Sequence, residues 1–254
     1  MDSFYTCWTL FKKESWRFLK VYNQTLFAPI VNILLLLAIF SLAVGNKYSF
    51  NGNVSFAYFM SCGLIMMAAM QNAFANSSSS FVMGKVLGHI IDYLIPPISY
   101  KEILIAMMCG AILRGLLVGL LAYIGISFFV DLEIKFFSLM LFYLVASTCF
   151  LALLGILCGI FSESFDQMSA ITSYIITPLT FLSGTFYSIN NLPEFWYYVS
   201  KFNPFFYMID GFRFAMSGYS DGLIEVGVTY VIAINVILYL VILKLLKVGY
   251  RIKN

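Results

Sequence analysis

Six long apolar runs, separated by short polar stretches, dominate the chain. A helix needs about 20 predominantly apolar residues to cross the hydrocarbon core of a bilayer. That ruler places spans near 26–45, 54–76, 103–130, 137–161, 168–187 and 226–246. The first 25 residues follow another pattern. Phe4, Cys7, Trp8, Phe11, Phe18, Leu19 and Tyr22 recur at helical spacing, with Lys12, Lys13, Glu14, Arg17 and Lys20 mostly between them. This predicts an amphipathic helix in the membrane interface, apolar face down. The order of basic stretch, brief apolar run and small-residue cleavage site that marks a signal peptide is not there.

The segment 188–224 is too rich in proline, asparagine and charge to span, yet too aromatic for a solvated loop. It is expected to lie against headgroups or to re-enter the bilayer over 188–214, its polar backbone satisfied by protein or water. Pro193, Trp196, Asn203, Pro204 and Arg213 mark it. One or two short helices should break at Asn203-Pro204, because a residue before proline disfavours the α region.

Composition supports the membrane reading. The chain is 61% hydrophobic and 11% charged, with mean hydropathy +0.91. Soluble domains carry roughly 25% charged residues to hydrate their surface, so the outside of this chain must suit lipid. A single all-α membrane domain over 1–254 is expected, with no soluble enzymatic domain. A net charge of +3 does not suggest a nucleic-acid partner. Cys7, Cys62, Cys109, Cys149 and Cys158 show no CxxC spacing, and His89 is the only histidine, so no metal site is expected.

Basic residues set the expected topology. With six spans, one side holds Lys12, Lys13, Arg17, Lys20, Lys85, Lys101, Lys244, Lys247, Arg251 and Lys253. The other holds Lys47, Lys135, Lys201 and Arg213. The positive-inside rule then places both termini in the cytoplasm.

Three features exceed what a span requires. Arg114 lies near the middle of the third run, where a charge costs several kcal/mol. It either faces a polar cavity, a partner helix or an anionic substrate group, or snorkels to an interface. Ala111, Gly115 and Gly119 recur at four-residue spacing around it, and Gly155 and Gly159 repeat the device in the fourth run. Such faces let helices approach closely, inside one subunit or between two. The segment 77–101, between spans two and three, is mildly amphipathic and contains Pro96-Pro97. Phe81, Val82, Val86, Ile90 and Leu94 form one helical face, with Lys85, His89 and Asp92 elsewhere. It is either a tethered interfacial loop or a short helix presented to a cytoplasmic partner.

Catalytic motifs are missing. The sequence holds no GxxxxGK[ST] phosphate loop, H-E-x-x-H, G-x-S-x-G or paired intramembrane acids. Glu163 and Asp166 fall in a short loop. Uphill transport would need energy from elsewhere.

The chain resembles the type-2 ATP-binding cassette export permeases over nearly its whole length. The resemblance runs through QTLFAPIVNILLLLAIF, YFMSCGLIMMAAMQNAFANSSSSFVMGK, LIPPISYKEILIA and RGLLVG. It is most specific in GIFSESFDQMSAITSYIITPLTFLSGTFYSINNLPEFW and FNPFFYMIDGFR. It implies a six-span half-transporter with an interfacial N-terminal helix and a re-entrant pair before the last span. It further implies a second permease copy, two separate ATPase subunits carrying ATP-Mg, and no cofactor on this chain. The coupling helix would map onto about 80–97, so Lys85, His89, Ile90, Asp92, Leu94, Pro96 and Pro97 would meet the ATPase. Members often carry Glu before a Ser-Pro or Ala-Pro there. Here Asp92 and Ile95-Pro96-Pro97 occupy the stretch, and the shorter acid keeps the charge. Location in a bacterial inner membrane follows from the family. The substrate class stays open among lipid-linked saccharide, polysaccharide, peptide and hydrophobic drug. Other readings are an intramembrane enzyme, a membrane assembly subunit without transport, and a secondary transporter, which would need buried acids for proton coupling.

Overall fold

Polar side chains decide which helix occupies the centre of this molecule. The computed structural model describes residues 3–44, 49–50, 54–88 and 98–250. In chain order its helices are α1 (Ser3–Leu19), α2 (Ala28–Val44), α3 (Phe56–Val86), α4 (Tyr100–Ser127) and α5 (Phe137–Phe161). They continue with α6 (Phe165–Ile171), α7 (Thr177–Phe181), α8 (Glu194–Phe202), α9 (Pro204–Ser217) and α10 (Ile224–Val248). A two-residue antiparallel pairing joins Ser49 to Ser55 and Phe50 to Val54.

Among the described residues, five helices are long and apolar enough to cross a membrane. Among them α3 has the lowest mean hydropathy, 1.2 over an 18-residue window with 83% of that window buried, whereas the Asn23–Ala43 helix has 2.5 with 11% of its window buried. This inverts the pattern of a soluble protein. In lipid, polar groups seek the bundle interior and apolar side chains can face out. Accordingly α3 packs chiefly against α4 and α5, while α2 and α10 remain peripheral. Val31, Leu35, Ile39 and Leu42 form an exposed stripe along α2.

The second span departs from its expected boundary. The helix continues through 77–86, where a loop was expected to begin at 77. Ser77 and Ser78 donate their hydroxyls to Ala73 and Phe74 carbonyls one turn back, which removes the penalty for burying them. The polar run is therefore helix interior.

The fifth run is helical over 165–181 and not to 187. It comprises α6, a π turn at Thr172–Ile176 and α7. A second π turn at Asn23–Phe27 leads into α2. Each π turn ends two residues before a proline, Pro178 and Pro29. Proline offers no N–H to the carbonyl four residues back, and the wider turn accommodates that gap.

Glycines permit the closest helix contacts. A Cβ on Gly115 would lie 2.8 Å from the Ala69 carbonyl oxygen, and one on Gly119 would lie 3.2 Å from Ala69 Cβ. A Cβ on Gly155 would lie 2.6 Å from the Phe74 carbonyl oxygen, and one on Gly159 2.5 Å from Phe81 Cβ. Both small-residue faces thus seat α4 and α5 against α3 within one subunit. Ala111 on the same face is fully buried.

Candidate functional site

The bundle carries three polar regions along its length. The first surrounds Arg114. In antiparallel α3 and α4, Asn72 lies about 21 Å from Val86 and Arg114 about 21 Å from Tyr100, at ~1.5 Å rise per residue. Equal depth from one end lets the two meet. Arg114 Nη2 donates to Asn72 Oδ1 at 2.9 Å, and Asn72 Nδ2 donates to the Ala68 carbonyl at 3.0 Å. Arg114 Nε is buried without a hydrogen-bond partner.

Arg114 lines a cavity of about 540 Å³ between α3, α4 and the helix 165–181. Gln71, Asn72, Ser78 and Ser79 contribute from α3. Ser169, Thr172, Ser173 and Thr177 contribute from α6, the π turn and the start of α7. Their four-residue recurrence places hydroxyls on one helical face, with Met168 and Ile176 as apolar neighbours. Pro178 thus sets a π turn in the cavity wall, a deformation often found at functional sites. Arg114 thus meets a partner helix, through Asn72 of α3, and also lines a polar cavity.

Arg17 stands behind this wall. Its Nη2 donates to the Asn76 carbonyl at 2.7 Å and to Asn76 Oδ1 at 3.0 Å. Its Nη1 donates to Ser79 Oγ at 3.2 Å. Glu14, 1% exposed, pairs with Arg17 at 3.3 Å and accepts from Ser80 Oγ at 2.8 Å. Gly110 of α4 makes room for it, since a Cβ there would lie 2.8 Å from Glu14 Cβ. Helix α1 therefore buries Leu10, Glu14 and Phe18 against the bundle, beyond the apolar face read from its sequence. The missed signal was the Glu14–Arg17 spacing of three residues beside the polar run NSSSS.

The second region is the α3–α5 end. Lys85 Nζ donates to the Ile160 carbonyl and, at 3.3 Å, to the Ser162 carbonyl. A cation thus satisfies oxygens at the α5 C-terminus. At the same end, Ser99 and Glu102 form a reciprocal capping box that starts α4. His89, Ile90, Asp92, Leu94, Pro96 and Pro97 lie outside the described residues.

The third region gathers the predicted outer segment. Pro193 caps α8, Trp196 is exposed on it, and Asn203 caps α9 while Pro204 opens that helix. Asn203 Oδ1 accepts from Phe205 N, and its Nδ2 donates to the Leu179 carbonyl at 2.7 Å. Arg213 is 0% exposed, so it is a core residue and not a loop charge. Its guanidinium lies 3.6 Å from the Phe59 ring centroid, and Nη2 donates to the Gly184 carbonyl at 2.6 Å. Asp210 sits 3.7 Å from it and accepts from Asp221 N and Gly222 N. Asp221 in turn accepts from Ser188, Asn190 and Tyr219. The arrangement ties both ends of the segment to α3.

None of these regions is a catalytic constellation. Among the described residues no cluster of His, Cys, Asp and Glu could hold a metal, and all five cysteines are free. What the geometry offers is a polar cavity inside an apolar bundle, closely packed helices, and a cross-linked α3–α5 end. The model of the family described as ABC-2 type transporter matches residues 5–217. The chain belongs to this family. It is 32% identical over 246 residues to the protein named inner membrane transport permease YadH of Escherichia coli strain K12, covering 97% of this chain and 96% of that one. The YadH permease of Shigella flexneri shows the same identity and coverage. A transport class, and association with an ABC ATPase, follow from the family.

Proposed function

We propose that this chain is the permease subunit of an ATP-driven exporter in a bacterial inner membrane. Membership of the ABC-2 type family carries the reading, and the likeness to an inner membrane transport permease supports the location. The helix 165–181 completes six spans, at about the lower end of the 17–25 residues that cross a bilayer. Both termini are cytoplasmic, α1 lies at the interface, and α8 with α9 forms a re-entrant pair. Two copies pair in the membrane on two ATPase subunits, which bind and hydrolyse ATP-Mg. The cargo is a lipid-linked saccharide, polysaccharide or hydrophobic drug.

ATP-driven closure of the ATPases moves the segment 80–97. Lys85 joins the end of α3 to the end of α5, so a push there is delivered to two helices at once. The glycine contacts make these helices move as a block. Net transport requires that ATP and cargo bind the inward and outward states with different affinity. The segment 192–214 shapes the outer exit, anchored through Arg213 and Asn203.

The test uses the purified permease–ATPase complex in nanodiscs. Asp92→Asn, Ile90→Ala and Lys85→Met should each lower the permease-dependent stimulation of ATP hydrolysis while leaving the permease folded. Full stimulation in all three variants would remove 80–97 from the coupling path.

A further inference from the structure

We infer that the Arg114 cavity binds the headgroup of an amphiphile of net negative charge through its phosphate or carboxylate, a group whose charge no cation of its own already answers. The inference rests on the permease reading above and names the chemistry that its site accepts. Among the described residues, Arg114 is the single charged one in the cavity wall, and no aspartate or glutamate lines it. Among the described residues no carboxylate pairs with Arg114, whose Nε is buried and unbonded. A guanidinium inside an apolar bundle is costly unless its charge is answered, and its planar fork matches oxyanions. Arg17 has a different fate, for Glu14 already neutralises it.

Neutral donors stand beside the charge. Among the described residues, the side chains of Gln71 of α3 and of Ser169, Ser173 and Thr177 of the opposite wall make no hydrogen bond. They can donate to the remaining oxygens of the same group, and Phe74, Met168 and Ile176 offer apolar contact for what is attached to it. A volume of about 540 Å³ lies within the roughly 300–1,000 Å³ of pockets that enclose a small molecule. It exceeds what an isolated phosphate would fill. The cavity uses the second half of α3 and the middle of the helix 165–181, so along α3 it lies toward the end where that helix stops and α4 begins. In the topology proposed above this is the loading side for export.

The test uses the isolated full chain in nanodiscs of phosphatidylcholine, without any ATPase. Binding of short-chain phosphatidylglycerol, short-chain phosphatidylcholine and inorganic phosphate is followed by the thermal unfolding midpoint across a ligand titration. Phosphatidylglycerol should raise the midpoint saturably and phosphatidylcholine should not. Arg114→Gln should weaken that binding by about tenfold or more, as expected for loss of a charge-assisted hydrogen bond. Ser173→Ala, at an exposed hydroxyl, keeps the fold and should weaken binding by a smaller factor. Saturation by phosphatidylglycerol alone assigns the site to a lipid headgroup, and equal saturation by inorganic phosphate assigns it to a free anion. Equal binding of phosphatidylcholine, or unchanged affinity in Arg114→Gln and Ser173→Ala, overturns the inference. Failure here with an ATPase still recovered on the chain leaves the permease reading standing. Binding here, with no ATPase recovered on the chain from its native membrane, removes that reading and keeps the site.

Discussion

Replacing Gly155 by alanine tests whether close backbone contact holds α5 to α3. The new Cβ would lie 2.6 Å from the Phe74 carbonyl oxygen and 3.1 Å from Ser78 N, besides meeting the Ser77 hydroxyl. Ser77 can rotate away, but the backbone of α3 cannot, so the two helices must part. Overpacking of this kind costs about 1–3 kcal/mol. Alanine returns about 0.5–1 kcal/mol through its better helix propensity. The net expectation is a loss of up to about 2.5 kcal/mol. Gly125→Ala is the internal control, because its Cβ would meet only side-chain atoms of Ile30 and Leu34, at 3.4 Å and beyond. It should stabilise by about 0.5–1 kcal/mol. Reversible unfolding in mixed micelles with a denaturing detergent compares the two. Equal stability of both variants, or stabilisation by Gly155→Ala, would refute the packing argument.

Arg213→Met removes the contact with Phe59 and the Gly184 bond while leaving Asp210 buried, and should cost about 3–5 kcal/mol. Arg213→Lys should not restore it, since an ammonium cannot stack as a planar fork does. Thermal unfolding reads both, and an unchanged midpoint in Arg213→Met would show the interaction to be dispensable. Ser99→Ala should cost about 1 kcal/mol by opening the α4 cap. Because Ser99 and Glu102 satisfy each other's backbone, adding Glu102→Ala should cost less than its single effect, and strict additivity in the same assay would contradict the reciprocal cap.

Lipid solubility leaves a strong trace in a sequence, and the long spans were legible for that reason. Their ends were less so. Ser77, Ser78 and Ser80 look like the start of a solvated loop, yet a serine that bonds its own helix can be buried in a bundle. Burial of polar residues is also why α3 reads as the least hydrophobic span while occupying the centre. The glycine faces were visible, but only the Ala69 and Phe74 contacts distinguish internal packing from a subunit interface.

Of the cavity, Arg114 was conspicuous as a lone charge in an apolar run. Its partners were not. Asn72 and Gln71 are unremarkable in sequence until α3 and α4 are brought antiparallel at equal depth. The hydroxyls at Ser169, Ser173 and Thr177 show a four-residue spacing, but spacing alone does not say which neighbour that face meets. Glu14 was read as part of a solvated face, because the buried serines and asparagine that receive it and Arg17 come from α3, about 60 residues away. The buried surroundings of Arg213 were hidden for a similar reason. A basic residue between aromatics suggests a headgroup contact, and only the fold brings Phe59 and Gly184 to its guanidinium.

The central claim is that this chain works as the transport subunit of a complex whose ATPase is a separate protein. It is tested most directly by purifying the tagged full chain from its native membrane and measuring subunit ratio and ATP hydrolysis in nanodiscs. The account predicts a nucleotide-binding ATPase in equal amount to the permease, with two copies of each per complex and hydrolysis that depends on both. Recovery of the chain alone, with no nucleotide-binding partner and no hydrolysis, would contradict it.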